Sequence, residues 1–191
     1  TSPGAIPPPM LASTKNKQSP RAKVLVSMGA NLGDPERSLA DALTTLRERG
    51  QVRVLERSRL YRTRPVGPVP QADFVNGAFL AETRCSPEEV LEELLAVEQL
   101  FGRRRDERWG PRSLDLDLLF YDDQVLQGPS LTLPHPELEH RGFVLAPLMD
   151  LVPEWRHPIS GRSVGESWER WCAALAPGEL EEALRPLSDQ T

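Results

Sequence analysis

The densest run of chemically capable side chains is Arg103 to Asp117, which reads RRRDERWGPRSLDLD. Five arginines fall between positions 103 and 112, and with Asp106 and Glu107 the local charge is +3 in a chain of formal net charge −5. Directly behind them stand Asp115 and Asp117, interleaved with Leu114, Leu116 and Leu118. Alternate side chains of a β-strand share a face, so this spacing turns both carboxylates one way and the leucines toward a core. Two carboxylates on one rigid surface suit Mg²⁺, which keeps several waters and takes further oxygens from substrate phosphates. Arginines beside them would neutralise phosphate oxygens and stabilise transferring charge. The combination points to nucleotide-dependent phosphoryl-type transfer, in which catalysis is mostly positioning and electrostatics. A D-x-D pair also serves simply to keep a strand edge soluble, and arginine-rich loops are commonly solvated surface. On pattern alone both readings stay open.

The rest of the composition narrows the chemistry. All three lysines (Lys15, Lys17, Lys23) lie in the first 23 residues and every other cation is arginine. The chain has no GxxxxGK[ST] loop and no lysine in its body for a Schiff base or a kinase-type phosphate contact, so arginine must handle any phosphate. Length (191 residues) and a 39 % hydrophobic, 27 % charged balance fit one globular domain with tails. No apolar run approaches the roughly 20 residues of a membrane span. Residues 1–22 hold five prolines and no signal-like apolar core, and read as a flexible leader. Cys85 and Cys172 have no CxxC spacing and read as free thiols in a reducing cytoplasm. His135, His140 and His157 cluster without a nearby cysteine, which disfavours structural zinc.

These residues need elements to position them. Lys23 to Met28 reads as a buried strand, followed by the turn Gly29-Ala30-Asn31-Leu32-Gly33. Asp34 as N-cap and Pro35 at the first helical position start a helix that runs to about Arg49 and stops at Gly50. Gln51 to Tyr61 reads as a second strand, Arg62 to Ala72 as a loop and Phe74 to Glu82 as a third strand. Ser86 and Glu89 form a capping box ahead of a helix with Val90, Leu91, Leu94, Leu95 and Val97 on one face. Leu114 to Tyr121 is the aspartate strand, and Gln124 to Leu133 a short edge strand or hairpin arm. Phe143 to Asp150 reads as a helical turn or two and Ser163 to Leu175 as an amphipathic helix. The acidic tail beyond Pro177 is expected to be peripheral. The order predicts an α+β, ferredoxin-like sandwich, with an antiparallel-rich sheet and helices packed on it. Residues 23–160 would form the catalytic domain, with 161–191 packed on or beside it.

Arg108-Trp109-Gly110-Pro111-Arg112-Ser113-Leu114-Asp115-Leu116-Asp117-Leu118-Leu119 closely resembles the signature of the 6-hydroxymethyl-7,8-dihydropterin pyrophosphokinases of folate biosynthesis. Gly29-Ala30-Asn31-Leu32-Gly33 resembles the family's opening turn. Tyr61-Arg62-Thr63, Pro65-Val66-Gly67-Pro68 and Asp73-Phe74-Val75-Asn76 resemble its pterin-side loop and strand. Leu133-Pro134-His135 and Arg141-Gly142-Phe143 resemble its late contacts. The resemblance implies transfer of pyrophosphate from ATP to the hydroxymethyl group of the dihydropterin, releasing AMP, with two Mg²⁺ ions bridging the triphosphate. It implies Asp115 and Asp117 as metal ligands, and Arg103 and Arg112 acting on the phosphates. Glu98, Arg105, Trp109, Arg112, Thr132, His135 and Arg141 match nucleotide-binding positions. Thr63, Val66, Phe74, Asn76, Trp109 and Phe143 match the pterin site, with Phe74 and Phe143 as the stack and Asn76 as the edge-reading amide. A monomer in the cytoplasm, with no nucleic-acid or membrane partner, is expected.

Pro136, Asp106, Glu139 and Arg64 depart from residues the family can carry there. His140 and His157 read as surface or structural residues, and Trp168 and Trp171 as packing. A ferredoxin-like RNA-binding module would instead show an RNP-type aromatic run and a basic sheet face. Another Mg-dependent D-x-D transferase would leave the Phe74/Asn76 and Arg141/Phe143 pairs without a purpose.

Overall fold

A computed structural model describes residues 20–65, 67–102 and 111–187. Its centre is β1 (Ala22–Ala30), paired antiparallel with β4 (Phe74–Thr83) on one side and β5 (Asp115–Tyr121) on the other. The predicted strand Gln51–Tyr61 is in fact two: β2 (Val52–Arg57) pairs with the far half of β4, and β3 (Tyr61–Thr63) with its beginning. Ser58 makes the break. Its hydroxyl accepts the Ala78 N–H at 2.9 Å and donates to the Arg59 carbonyl at 2.6 Å, standing in for a ladder carbonyl as the chain turns.

Helix α1 (Pro35–Arg49) starts where Asp34 accepts the Arg37 N–H, and ends at Gly50, whose φ of +71° lets its N–H return to the Leu46 carbonyl. Helix α2 (Pro87–Leu100) starts with the expected reciprocal Ser86–Glu89 box. Both helices cover one face of the sheet, where Val24, Val26, Met28, Phe79, Leu116 and Leu118 meet Leu39, Leu46, Leu94 and Val97 in a dry core. Strand order β5-β1-β4-β3, with β2 also on β4, is the ferredoxin-like α+β sandwich that the sequence predicts.

The other face is covered at one end only. A 3₁₀ turn (Leu138–His140), α3 (Gly142–Leu151) and α4 (Val164–Ala173) pack Leu138, Val144, Leu145, Leu148 and Val164 against Leu25, Ala78 and Phe120. Helix α3 is thus longer than the turn or two expected. Between α2 and α3, β6 (Leu126–Gln127) and β7 (Thr132–Leu133) form the small hairpin. The tail is not peripheral. Helix α5 (Glu179–Ala183) leads into β8 (Leu184–Pro186), which pairs antiparallel with β3 and buries Leu184. β3 otherwise has unpaired polar backbone on its outer edge, and β8 satisfies it, while the acidic side chains of α5 stay in water.

Candidate active site

The pleat of the three central strands builds the site. Register sets Gly29 of β1 between Asp115 of β5 and Asn76 of β4, and sets Ser27 opposite Asp117. Phe74 pairs with Thr63 of β3. By alternation Ser27, Gly29, Asp115, Asp117, Phe74, Asn76 and Thr63 share the face opposite α1 and α2. They lie at the end that α3 and α4 leave open, around a cavity of about 680 Å³. Arg112, Arg141 and Phe143 also line the cavity.

Several polar members are held by neighbours within the protein. Asn76 donates from Nδ2 to Thr63 Oγ1 at 2.6 Å, both residues being buried. Its Oδ1 lies over Gly29 so closely that a Cβ there would stand 2.5 Å away, so β1 requires glycine at this step. Arg112 Nη1 donates to Asp115 Oδ2 at 2.6 Å. The Arg141 guanidinium sits 5.8 Å from the centre of the Phe143 ring, a cation–π approach.

Asn31, read from sequence only as part of a turn, proves to be a junction. Its Oδ1 accepts the Arg112 N–H at 2.8 Å, and its own N–H reaches the Arg112 carbonyl at 3.0 Å. Its Nδ2 donates to Gln71 Oε1 and the Ala72 carbonyl, both at 2.9 Å. One buried amide therefore ties the β1–α1 turn to the loop before β4 and to the segment before β5. A second anchor lies under β3, where Asp150 of α3 accepts from Arg59 and, at 2.9 Å, from the Tyr61 hydroxyl. Burial first, and then the bond to Asp150, push the Tyr61 phenol up to about 12, so it stays protonated.

Three expected nucleotide contacts do not line the cavity. Glu98 is 2 % exposed and accepts the Leu116 N–H at 2.8 Å, which fastens α2 to the aspartate strand. Thr132 is exposed on β7. His135 donates its N–H to the Leu119 carbonyl and feels the charges of both Arg141 and Asp115 from beside the site. Burial, with help from Arg141, holds its imidazole below the ordinary range and favours the neutral ring. Arg103, Arg105, Trp109 and Val66 lie outside the described residues.

Conversely, the wall includes residues that the sequence reading assigned elsewhere or left unassigned. His140 and Glu137 reach the rim, Trp171 enters from α4, and Glu182 and Leu184 come from the tail. Glu139 accepts from Ser160, Arg162 and Ser167 at 2.9–3.1 Å, joining the 3₁₀ turn to the segment around α4. Burial alone would raise its carboxyl, but the bonds from Arg162, Ser167 and Ser160 outweigh it and hold the group below its usual value.

Among the described residues no third His, Cys, Asp or Glu gathers with Asp115 and Asp117 into a metal-binding group. Two hard oxygen donors at an open cavity still fit Mg²⁺, which completes its shell with water and phosphate oxygens. The arrangement therefore sets a carboxylate–arginine end beside an aromatic–amide end in one concavity. It can hold a polyanion against a flat heterocycle.

The sequence profile of the 7,8-dihydro-6-hydroxymethylpterin-pyrophosphokinase family matches residues 25–153. The 2-amino-4-hydroxy-6-hydroxymethyldihydropteridine pyrophosphokinase of a Synechocystis species is 43 % identical over 167 residues, covering 85 % of each chain. The Pseudomonas aeruginosa enzyme of that name is 42 % identical over 144 residues, 75 % of this chain and 88 % of its own. The crystal structure of wild-type Plasmodium falciparum HPPK-DHPS with pteroate has a TM-score of 0.69 at 14 % identity, covering 87 % of this chain and 46 % of that one, and speaks to fold alone. No helix among the described residues is long and apolar enough to cross a membrane. Profile, relatives and fold agree, and the chain belongs to the 7,8-dihydro-6-hydroxymethylpterin-pyrophosphokinase family.

Proposed function

We propose that the protein transfers pyrophosphate from ATP to the hydroxymethyl group of 6-hydroxymethyl-7,8-dihydropterin. The substrate hydroxyl gives up its proton to solvent as its oxygen bonds to the β-phosphorus, the bond from that phosphorus to the α–β bridging oxygen breaks, and AMP leaves. The observation that carries this reading is that Phe74, Asn76 and Thr63 line one and the same cavity as Arg112, Asp115 and Asp117.

Phe74 and Phe143 take the two faces of the pterin ring. Asn76 reads the ring edge, held to one rotamer by Thr63. Arg112 and Arg141 meet the phosphates, and positioned cations of this kind act mainly on charge that develops during transfer. Asp115 and Asp117 would hold two Mg²⁺ ions, which neutralise triphosphate oxygens when bound. Arg103, Arg105, Trp109, Thr132 and His135 belong to the nucleotide side of this assignment, and Val66 and Trp109 to the pterin side. Glu98 acts through the Leu116 bond by holding the aspartate strand in place. The enzyme works as a monomer in the cytoplasm, where Cys85 and Cys172 stay reduced.

Product analysis tests the reading directly. With ATP, Mg²⁺ and the dihydropterin present, AMP should appear in step with pterin consumption, and leaving out either pterin or metal should stop it. Release of ADP, or AMP formed at the same rate without pterin, would overturn the assignment.

A further inference from the structure

Helix α4 lies outside the stretch that matches the family profile, yet one of its side chains reaches the cavity. Trp171 presses the benzo edge of its indole onto Gly142. A Cβ on Gly142 would run into Cη2, Cζ2 and Cζ3 of that ring, closer than real Cβ contacts occur. Gly142 is buried and opens α3, between Arg141 as N-cap and Phe143 in the first turn. No side chain caps this helix start. The indole of Trp171 therefore bears directly on the first turn of α3 from outside.

The indole is itself held. Trp168, one turn earlier on α4, stacks on it with ring centres 5.5 Å apart and planes 21° from parallel. Trp171 and Phe143 pack together against Tyr61, Ala146 and Leu184, so the same small cluster joins α3, α4, β3 and β8. Ser163 and Glu166 cap α4 reciprocally, and Glu139 draws Arg162 and Ser167 to the turn ahead of Arg141. A rigid aromatic wedge on a capped helix thus stands beneath the two residues that approach the ligand.

We propose that Trp171 is a positioning residue for the pterin subsite, its indole seated on Gly142 so as to set where Phe143 and Arg141 stand. The proposal rests on the functional reading above and extends it to a residue that reading does not use. Glycine at 142 is the complement of the wedge. A methyl there would collide with a ring that Trp168 backs.

Steady-state kinetics with ATP, Mg²⁺ and the dihydropterin test this in the whole chain. Wild-type protein that releases no pterin-dependent AMP would overturn the functional reading, before any variant is compared. With active wild type, Trp171→Ala should raise the pterin KM about tenfold while kcat changes by less than about threefold, as expected for a displaced binding group. Trp171→Phe, which keeps a flat ring, should recover most of the loss. Gly142→Ala should raise the pterin KM about as much as Trp171→Ala, since it shifts the same turn. In the double variant the new methyl has room, so its KM should be no higher than that of Trp171→Ala alone. A pterin KM within about twofold of wild type in Trp171→Ala, or losses that multiply in the double variant, would overturn the wedge and leave the reaction assignment standing.

Discussion

On the α1/α2 face of the sheet, Val24, Val26, Met28, Phe79 and Leu116 are sealed beneath two capped helices. On the opposite face the same strands present Ser27, Asn76, Asp115 and Asp117, and the helices that could have covered them stop short. Leu116 and Asp117 are chain neighbours, yet one fills the core and the other faces the cavity. The pleat separates the two duties residue by residue. Stability is concentrated on one face and ligand chemistry on the other, so substitutions one position apart should differ in kind.

The sharpest break of that contrast is Asp117→Ala against Leu116→Ala. Asp117→Ala, and likewise Asp115→Ala, should cut turnover by about a thousandfold or more while the melting temperature stays within a few degrees of wild type. Leu116→Ala should do the reverse, destabilising the fold by about 2–5 kcal/mol in denaturant titration while leaving the site chemistry intact in the folded fraction. Near-normal turnover of either aspartate variant in limiting Mg²⁺ would remove the metal assignment. Next in size is Asn76→Ala, which should weaken pterin binding by about 1–3 kcal/mol in calorimetry and ATP binding much less. Equal losses for both ligands would make Asn76 a structural residue.

The smallest effect sharpens the comparison at its boundary, where Glu139 joins the 3₁₀ turn to the α4 segment. Its folded carboxyl lies below the ordinary 4.5, so its contribution is present above that value and lost as pH falls through the lower folded one. Glu139→Gln should therefore melt a few degrees below wild type at pH 7, with the gap narrowing as pH falls from 4.5 through the lower folded value. A gap that stays the same at every pH from 7 down to the acid unfolding transition would show that charge is not what the clamp uses.

What could be read from the chain was what is local. Asp34, Pro35 and Gly50 mark α1, and Ser86 with Glu89 marks the start of α2, because capping involves groups within one turn of each other. The shared faces of Asp115 with Asp117, and of Phe74 with Asn76, follow from a period of two and nothing else. Features set by distant partners were hidden. Ser58 splits a strand only because Ala78 lies opposite it. Gly29 looks like a turn glycine until Asn76 is placed above it. Asn31 gains its four bonds from Arg112, Gln71 and Ala72, none of them near it in sequence. The acidic composition of 179–182 spoke for solvent, which is true of those side chains, and said nothing of β8, which begins two residues on.

The pairing of β8 with β3 has a consequence for biosynthesis. On the ribosome β3 is made early and β8 late, with β4, α2 and β5 emerging between them. The βαβββαβ layer can therefore close its core around a nascent chain whose third strand still has a bare edge. That edge is only three residues long and carries Arg62, both of which discourage pairing with a neighbouring chain. Leu184 then arrives as one of the final pieces of the cavity wall. Compactness would precede ligand competence during synthesis, and a ribosome stalled before Leu184 would display a folded layer with an unfinished pocket.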